Sequence, residues 1–348
     1  MRIGLVSPYD LGRAGGVQDQ VIRLAGWLSD AGHDSVVIGP GVEGPEGALL
    51  LGPTTNITAN RAQTPIRLDP RVGRRLESVR GEVDVLHVHE PLMPAVSTAA
   101  MRLKGPAKVA TFHADPPVWA RRLYRYGRSG VRAVLRDASV ITVTSPISGS
   151  SIEGIVDYRI VPNGIDVADY ETGPKNPLRV TFLGRDDERK GLSVLLAAWT
   201  AVRSAVPEAR LTVMGADRGV AVDGVEYLGW VDDPAKREVL SAAAVFCAPN
   251  LGGESFGIIL AEAMASGCAI VASAIPAFEH VAGPTARLCN PGDVECLARE
   301  IIGLLTTPED ARRLGGEAAE RVVQFDGATV AAQFVAAYEE AIEERRRR

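Results

Sequence analysis

The chain has 348 residues, 46% hydrophobic and only 5% aromatic, and carries a formal net charge of -5. That length is generous for one hydrophobic core and suits two domains. The mildly acidic balance argues against a nucleic-acid coat, and no run reaches the roughly 18 apolar residues a spanning helix needs.

The opening segment "MRIGLVSPYD" reads as a strand entering a loop rather than a signal peptide. Its continuation, "LGRAGGVQDQV", places Gly15 and Gly16 just before a helical pattern. Free amides at such a helix start favour phosphate oxygens. The glycines do not spell GxGxxG, so a dinucleotide fingerprint is absent. A glycine turn kept only for packing is the alternative.

Short β-branched strands follow at 35–38, 83–88, 109–112 and 140–143, after the first at 3–6. A second series lies at 180–183, 211–214, 225–228, 245–248 and 269–272, with helical patterns at 17–31, 192–206 and 235–243. Apolar strands joined by helical crossovers predict parallel sheets covered on both faces. The expected fold is α/β with two Rossmann-like domains, 1–168 and 169–328. The seam is the Pro/Gly/Asp-rich "VPNGIDVADYETGPKNP". A final helix, 329–348, is expected to cross back to the first domain.

Arginines crowd two segments of the first domain. Arg67, Arg71, Arg74, Arg75 and their neighbours meet only Asp69 and Glu77, and Arg121, Arg122, Arg125, Arg128, Arg132 and Arg136 meet no acid. Arg71, Arg74 and Arg75, alternating with Val72, Leu76 and Val79, fit a basic amphipathic helix for an anionic membrane surface. A solvated arginine face is the bland alternative. His87 and His89 share one strand face, but no further zinc-like ligand set accompanies them. They are expected to be structural or to position an acceptor, with no metal site. His113 stands just past the carboxyl end of its strand, where ligands of such sheets bind.

The second domain opens with "VTFLGRDDERKG". Arg185 and Lys190, a fork and a point charge after a parallel strand, suit a diphosphate, and a surface ion-pair network is the equal alternative. Asp186, Asp187, Glu188 and Arg189 read as solvated loop charges. In "LGGESFGIILAEAMASG", Ser255 is a candidate helix cap and Gly267 a helix stop. The amides of Phe256, Gly257 and Ile258 would form a second anion-friendly helix start, beside Glu254, which could accept from sugar hydroxyls. Glu262 falls in an apolar run and needs a partner: the cis-diol of a ribose, or an arginine in the core. The four cysteines, Cys247, Cys268, Cys289 and Cys296, lack CxxC spacing and are expected to be reduced thiols of a soluble cytosolic protein.

Taken as an ordered set, "GGVQ", "DVLHVHEP", "TFH", "VPNGID", "FLGRDDERKG" and "GGESFGIILAEAMASG" resemble the retaining family-4 glycosyltransferases of GT-B fold. Glu254 and Glu262 match their E-x7-E signature. The resemblance implies two domains closing on a sugar nucleotide. Gly16, Arg185 and Lys190 would hold its diphosphate, and Glu254, Ser255 and the Phe256–Gly257–Ile258 backbone the transferred sugar. Glu262 would hold the ribose, and His113 the sugar near the reacting centre. Asp233 and Lys236 would border the base, and Tyr9, Asn60 and Arg67 would line a lipid-acceptor groove. The implied reaction moves mannose from GDP-mannose to phosphatidylinositol or another anionic lipid at the cytoplasmic membrane face. No tightly bound cofactor is implied beyond an accessory Mg²⁺. Another donor, such as a UDP-sugar, or a soluble acceptor fits the same motifs. The chain departs from the family pattern at Pro65, in "FHADPPVWARR" and at Gly327, where a tryptophan that seats the last helix is expected.

Overall fold

The structure is a computed structural model and describes residues 1–59, 62–67, 69, 71–114 and 116–347. The chain divides into two compact units, Met1–Gly164 with Gly327–Arg348, and Ile165–Asp326. The seam therefore falls at Gly164/Ile165 and Asp326/Gly327, inside the Pro/Gly-rich segment but ahead of residue 168.

The first unit runs β1 (Arg2–Val6), α1 (Gly16–Asp30), β2 (Asp34–Gly39), β3 (Leu49–Leu50), β4 (Thr55–Ala59), β5 (Ala62–Ile66) and α2 (Val72–Leu76). It continues with β6 (Val85–His89), α3 (Val96–Arg102), β7 (Ala107–Phe112), α4 (Val118–Tyr126), α5 (Arg128–Leu135), β8 (Val140–Val143), α6 (Pro146–Gly149) and β9 (Arg159–Ile160). Seven strands form a sheet in the order β3-β2-β1-β6-β7-β8-β9, parallel throughout. β4 and β5 pair separately and antiparallel, a ribbon that polar, weakly alternating residues did not announce.

The second unit comprises β10 (Asn176–Leu183), α7 (Leu192–Ala205), β11 (Arg210–Met214), β12 (Val225–Gly229), α8 (Asp233–Ala242), β13 (Ala243–Ala248) and α9 (Ile258–Ala265). Then come β14 (Ala269–Ser273), α10 (Pro276–Ala282), β15 (Ala286–Cys289), α11 (Val294–Thr306) and α12 (Pro308–Val322). Its six-stranded sheet has the order β12-β11-β10-β13-β14-β15, again parallel. The chain ends in α13 (Gly327–Arg347), which packs on the first unit.

Each sheet is buried on both faces, which is why its strands are apolar without alternation. In the first unit one face carries α2, α3 and α5 through Val72, Leu76, Met101 and Leu135. The other carries α1 and α13 through Leu24, Leu28, Phe334 and Tyr338. In the second unit Leu195, Trp199, Ile301 and Leu304 of α7 and α11 cover one face, and Leu260, Met264 and Phe278 of α9 and α10 cover the other. Side chains of this size contribute about 1.5–3 kcal/mol each when fully buried. No helix of the described residues is long and apolar enough to cross a membrane.

Gly327 explains how α13 is seated without the expected tryptophan. The Trp27 indole from α1 lies against Gly327 and Gly164, and a Cβ at Gly327 would collide with it. The aromatic comes from the other side of the contact. Cys289 and Cys296 are not reduced thiols but a disulfide, Sγ–Sγ 2.08 Å and Cα–Cα 5.8 Å. The turn from β15 into α11 brings together residues whose sequence spacing carried no such signal. Cys247 and Cys268 are free and buried.

Candidate active site

The chemistry of each unit gathers where strands end at their carboxyl edges, as parallel sheets dictate. In the second unit, β10 ends before a turn in which Asp187 caps a short helix and pairs with Arg189. Asp186 pairs with Arg218. These loop charges are therefore structural, not simply solvated. Arg185 is exposed, and its side chain has no ion pair or hydrogen bond among the described residues.

Gly191 closes this turn with φ 73, and a Cβ there would run into the Pro249 carbonyl. Only glycine lets the turn after β10 lie on the loop after β13. Leu251 N–H also donates to the Arg189 carbonyl. The contact delivers Lys190 to Glu254, with Nζ donating to Oε2 at 2.8 Å. Asn250, buried, donates to the same oxygen at 3.3 Å.

α9 starts at Ile258, after Gly257 at φ 98. Ser255 is thus not its cap, because the left-handed turn at Gly257 separates it from the helix. Phe256 turns into the core and meets Phe325 edge-on at 5.4 Å, so only its backbone is on offer at the loop. Glu262 is 5% exposed, and its partner is a lysine rather than an arginine. Lys236 Nζ lies 2.8 Å from Glu262 Oε1 and 2.9 Å from Asp233 Oδ1. The first turn of α8, capped by Asp232, holds this Asp233–Lys236–Glu262 chain. A cavity of about 610 Å³ in this unit, lined by residues that include Thr172, Lys175, Gly267 and Gly315, touches none of these residues.

In the first unit, Gly16 opens α1 behind Gly15, with no side-chain cap on the helix amides. A Cβ on Gly16 would meet nothing within 4 Å, so packing does not demand this glycine. His113 is buried just past β7. Its Nδ1 contacts Asn163 Oδ1 at 3.2 Å and its Nε2 contacts His89 Nδ1 at 2.7 Å. A carbonyl oxygen only accepts, so His113 donates from Nδ1, accepts at Nε2, and His89 donates from its own Nδ1. His89 Nε2 is left buried without a partner among the described residues. Burial keeps His113 neutral, its pKa down at about 4 against the opposing Asn163 bond. Burial likewise holds His87 and His89 well below the usual histidine range. His87 is spent on Tyr338 and Thr111, a structural link rather than a metal ligand. Both ring nitrogens of His113 are similarly occupied within its own unit, which makes it an anchored group rather than a freely offered one.

Glu90, unremarked in the sequence, holds this corner. It sits at φ 48, and its Oε1 accepts from the amides of His113 and Ala114, both at 2.7 Å. Burial lifts its carboxyl to about 7 in spite of those amides. Its charge, after burial, also raises the Tyr9 and Tyr124 hydroxyls, Tyr124 to about 12. Tyr9 bridges to Ile66. Arg67 is turned inward, donating to Asp69 at 2.5 Å and to the Pro53 carbonyl, and so is not presented as a free groove cation. Asn60 lies outside the described residues. The expected basic helix is only five residues long, with Val72 and Leu76 buried and Arg75 donating to the Leu51 carbonyl. Arg71 and Arg74 are exposed.

Two Rossmann-like units with charge and open helix starts at their strand ends have the architecture of a GT-B glycosyltransferase. A family profile described as "Glycosyltransferase Family 4" matches residues 14–169, and one described as "Glycosyl transferases group 1" matches 177–307. The chain belongs to glycosyltransferase family 4 and is a glycosyltransferase whose similarity runs to mannosyltransferases. It is 35% identical to a phosphatidyl-myo-inositol mannosyltransferase of Mycolicibacterium smegmatis over 97% of this chain and 94% of that one. Among solved structures, sucrose-phosphate synthase of Thermosynechococcus elongatus superposes with a TM-score of 0.75 at 22% identity, covering 99% of both chains. Anabaena HepE, solved with UDP and glucose, gives 0.71 at 17% identity, covering 97% and 99%. These two likenesses establish the fold alone.

Proposed function

We propose that the enzyme transfers mannose from GDP-mannose to phosphatidyl-myo-inositol, with retention at the anomeric carbon, at the cytoplasmic face of the membrane. The observation that carries this reading is the pair of lysine–glutamate couples, Lys190–Glu254 and Lys236–Glu262, in a chain so similar to the mycobacterial mannosyltransferase. Lys190, fixed by Glu254, and the unpaired Arg185 suit the two phosphates of a nucleoside diphosphate. In the first unit, Gly16 opens α1 with its amides free of any side-chain cap, a start that favours phosphate oxygens. Glu254 retains one oxygen for a sugar hydroxyl. Glu262, neutralised by Lys236, can share its carboxylate with the ribose diol, while Asp233 flanks the base.

As the sugar–phosphate bond breaks, negative charge collects on the departing diphosphate, and Arg185 and Lys190 stabilise it. The acceptor hydroxyl attacks from the face the phosphate leaves, and its proton passes to a phosphate oxygen. No protein nucleophile is required. Glu254 and Glu262 each face a lysine, and any Mg²⁺ would be an accessory ion beside them. The test is a matrix of GDP-mannose and UDP-glucose against phosphatidylinositol and soluble inositol phosphates, with products read by mass spectrometry and the anomer by NMR. An α-mannosyl lipid from GDP-mannose is expected. Transfer only from UDP-glucose, or only to a soluble acceptor, would replace this reading.

A further inference from the structure

We propose that α4, not α2, is the surface that enters the bilayer, through an apolar stripe of Trp119, Leu123 and Tyr126 rimmed by Arg122, Arg125 and Arg128. The proposal rests on the lipid-acceptor reading above and names the partner surface that reading needs. Positions 119, 123 and 126 repeat at i, i+4 and i+7, one face of a helix. Their side chains are 63%, 60% and 88% exposed, and Val118 at the head of the helix is 64% exposed. Soluble surfaces rarely line up large apolar groups in this way without a partner.

The opposite face holds the helix down. Ala120 is buried, Tyr124 packs against the core beneath, and Arg121 Nε donates to the Pro116 carbonyl at 3.1 Å. Arg122, Arg125 and Arg128 are exposed and have no ion pair or side-chain hydrogen bond among the described residues. From 116 to 136 there is no Asp or Glu. An apolar stripe bordered only by unpaired cations matches acyl chains below anionic headgroups. A second copy of the chain would bring like charges together across the same face. α2 differs in kind: its apolar side is consumed by the core and Arg75 by a carbonyl, so it offers charge without insertion.

The test is co-sedimentation of the full chain with phosphatidylcholine vesicles and with phosphatidylcholine–phosphatidylglycerol vesicles, each variant first checked by circular dichroism. Wild type should bind the anionic vesicles, and the Trp119→Ser/Leu123→Ser/Tyr126→Ser variant should lose that binding. The Arg122→Ala/Arg125→Ala/Arg128→Ala variant should bind them about a hundredfold more weakly, while Arg71→Ala/Arg74→Ala changes little. Brominated lipid should quench tryptophan fluorescence in wild type and not in Trp119→Phe. Undiminished vesicle binding by the triple serine variant overturns the proposal. So does a wild-type dimer that this variant dissolves without any vesicle binding. Vesicle binding through α4 with no mannosyl transfer to phosphatidylinositol sinks the functional reading and leaves the surface standing. Transfer to detergent-dispersed phosphatidylinositol without α4-dependent vesicle binding does the reverse.

Discussion

Lys190 Nζ stands 2.8 Å from Glu254 Oε2, a contact between two loops set by one glycine. Both side chains remain a fifth to a quarter exposed, so the pair contributes about 1 kcal/mol or less to folding. Its value is positional. Lys190→Ala and Glu254→Ala should each lower turnover about 10²- to 10³-fold with an unchanged thermal melt. Steady-state rates beside melting curves check this, and full activity in both would remove them from the site.

Gly191 is the hinge of that arrangement. Gly191→Ala forces a side chain into the left-handed region and against the Pro249 carbonyl, a strain of about 1–3 kcal/mol before any clash. Denaturant unfolding should show the loss, and activity should fall with it as Lys190 leaves Glu254. An alanine variant of wild-type stability would mean the two loops do not touch as described.

Lys236 and Glu262 should behave asymmetrically. Lys236→Ala strands a carboxylate only 5% exposed and should destabilise the second unit by about 3 kcal/mol or more, as broken buried pairs do. Glu262→Gln keeps a neutral acceptor in place and should cost far less stability while weakening donor binding. Calorimetric titration with GDP-mannose, set beside unfolding curves, separates the two. Equal stability losses would contradict the geometry.

The Glu90–His113 corner predicts opposing pH limbs. Glu90 is raised from 4.5 to about 7, with burial the first cause. Its contribution is whole below pH 4.5 and lost as pH rises through about 7. His113 is lowered from 6.5 to about 4, again mainly by burial. Its contribution is whole above pH 6.5 and lost as pH falls through about 4. Glu90→Gln keeps an acceptor for the His113 and Ala114 amides and removes only the first limb. The variant should therefore gain stability relative to wild type as pH rises from about 5 to 7.5. Parallel melts across that range would refute this if the difference stayed flat.

The disulfide is checked by counting thiols. Unfolded in denaturant without reductant, the chain should alkylate at Cys247 and Cys268 only, and at all four cysteines after reduction. Four reactive thiols before reduction would restore the reduced state the cysteine spacing suggested.

Much of the architecture was legible because a doubly covered parallel sheet imposes unbroken apolar strands, and those at 140–143 and 269–272 start where the structure starts them. The strands that escaped notice, β3, β9 and β15, are short edge or near-edge pieces, and the β4–β5 ribbon lacks a strong alternation. Glu254 and Glu262 stood out as candidates because glycines surround the first and apolar residues the second. Their lysine partners could not be matched. Lys190 and Lys236 are far from them in sequence, and Asn163, Asn250 and Glu90 carry no local mark beyond a place after a strand.

By itself the sequence determined the long buried strands, the helical crossovers between them and their division into two units. Those properties follow from periodicity and from turn residues acting over a few positions. Tertiary structure alone decided the pairings: Lys236 rather than an arginine on Glu262, Trp27 in place of a tryptophan at 327, Cys289 bonded to Cys296. It also decided which arginine-rich helix keeps its apolar side in the core and which leaves it bare. Such contacts depend on distances across the fold, and a pattern along the chain holds no information about the space left between its elements.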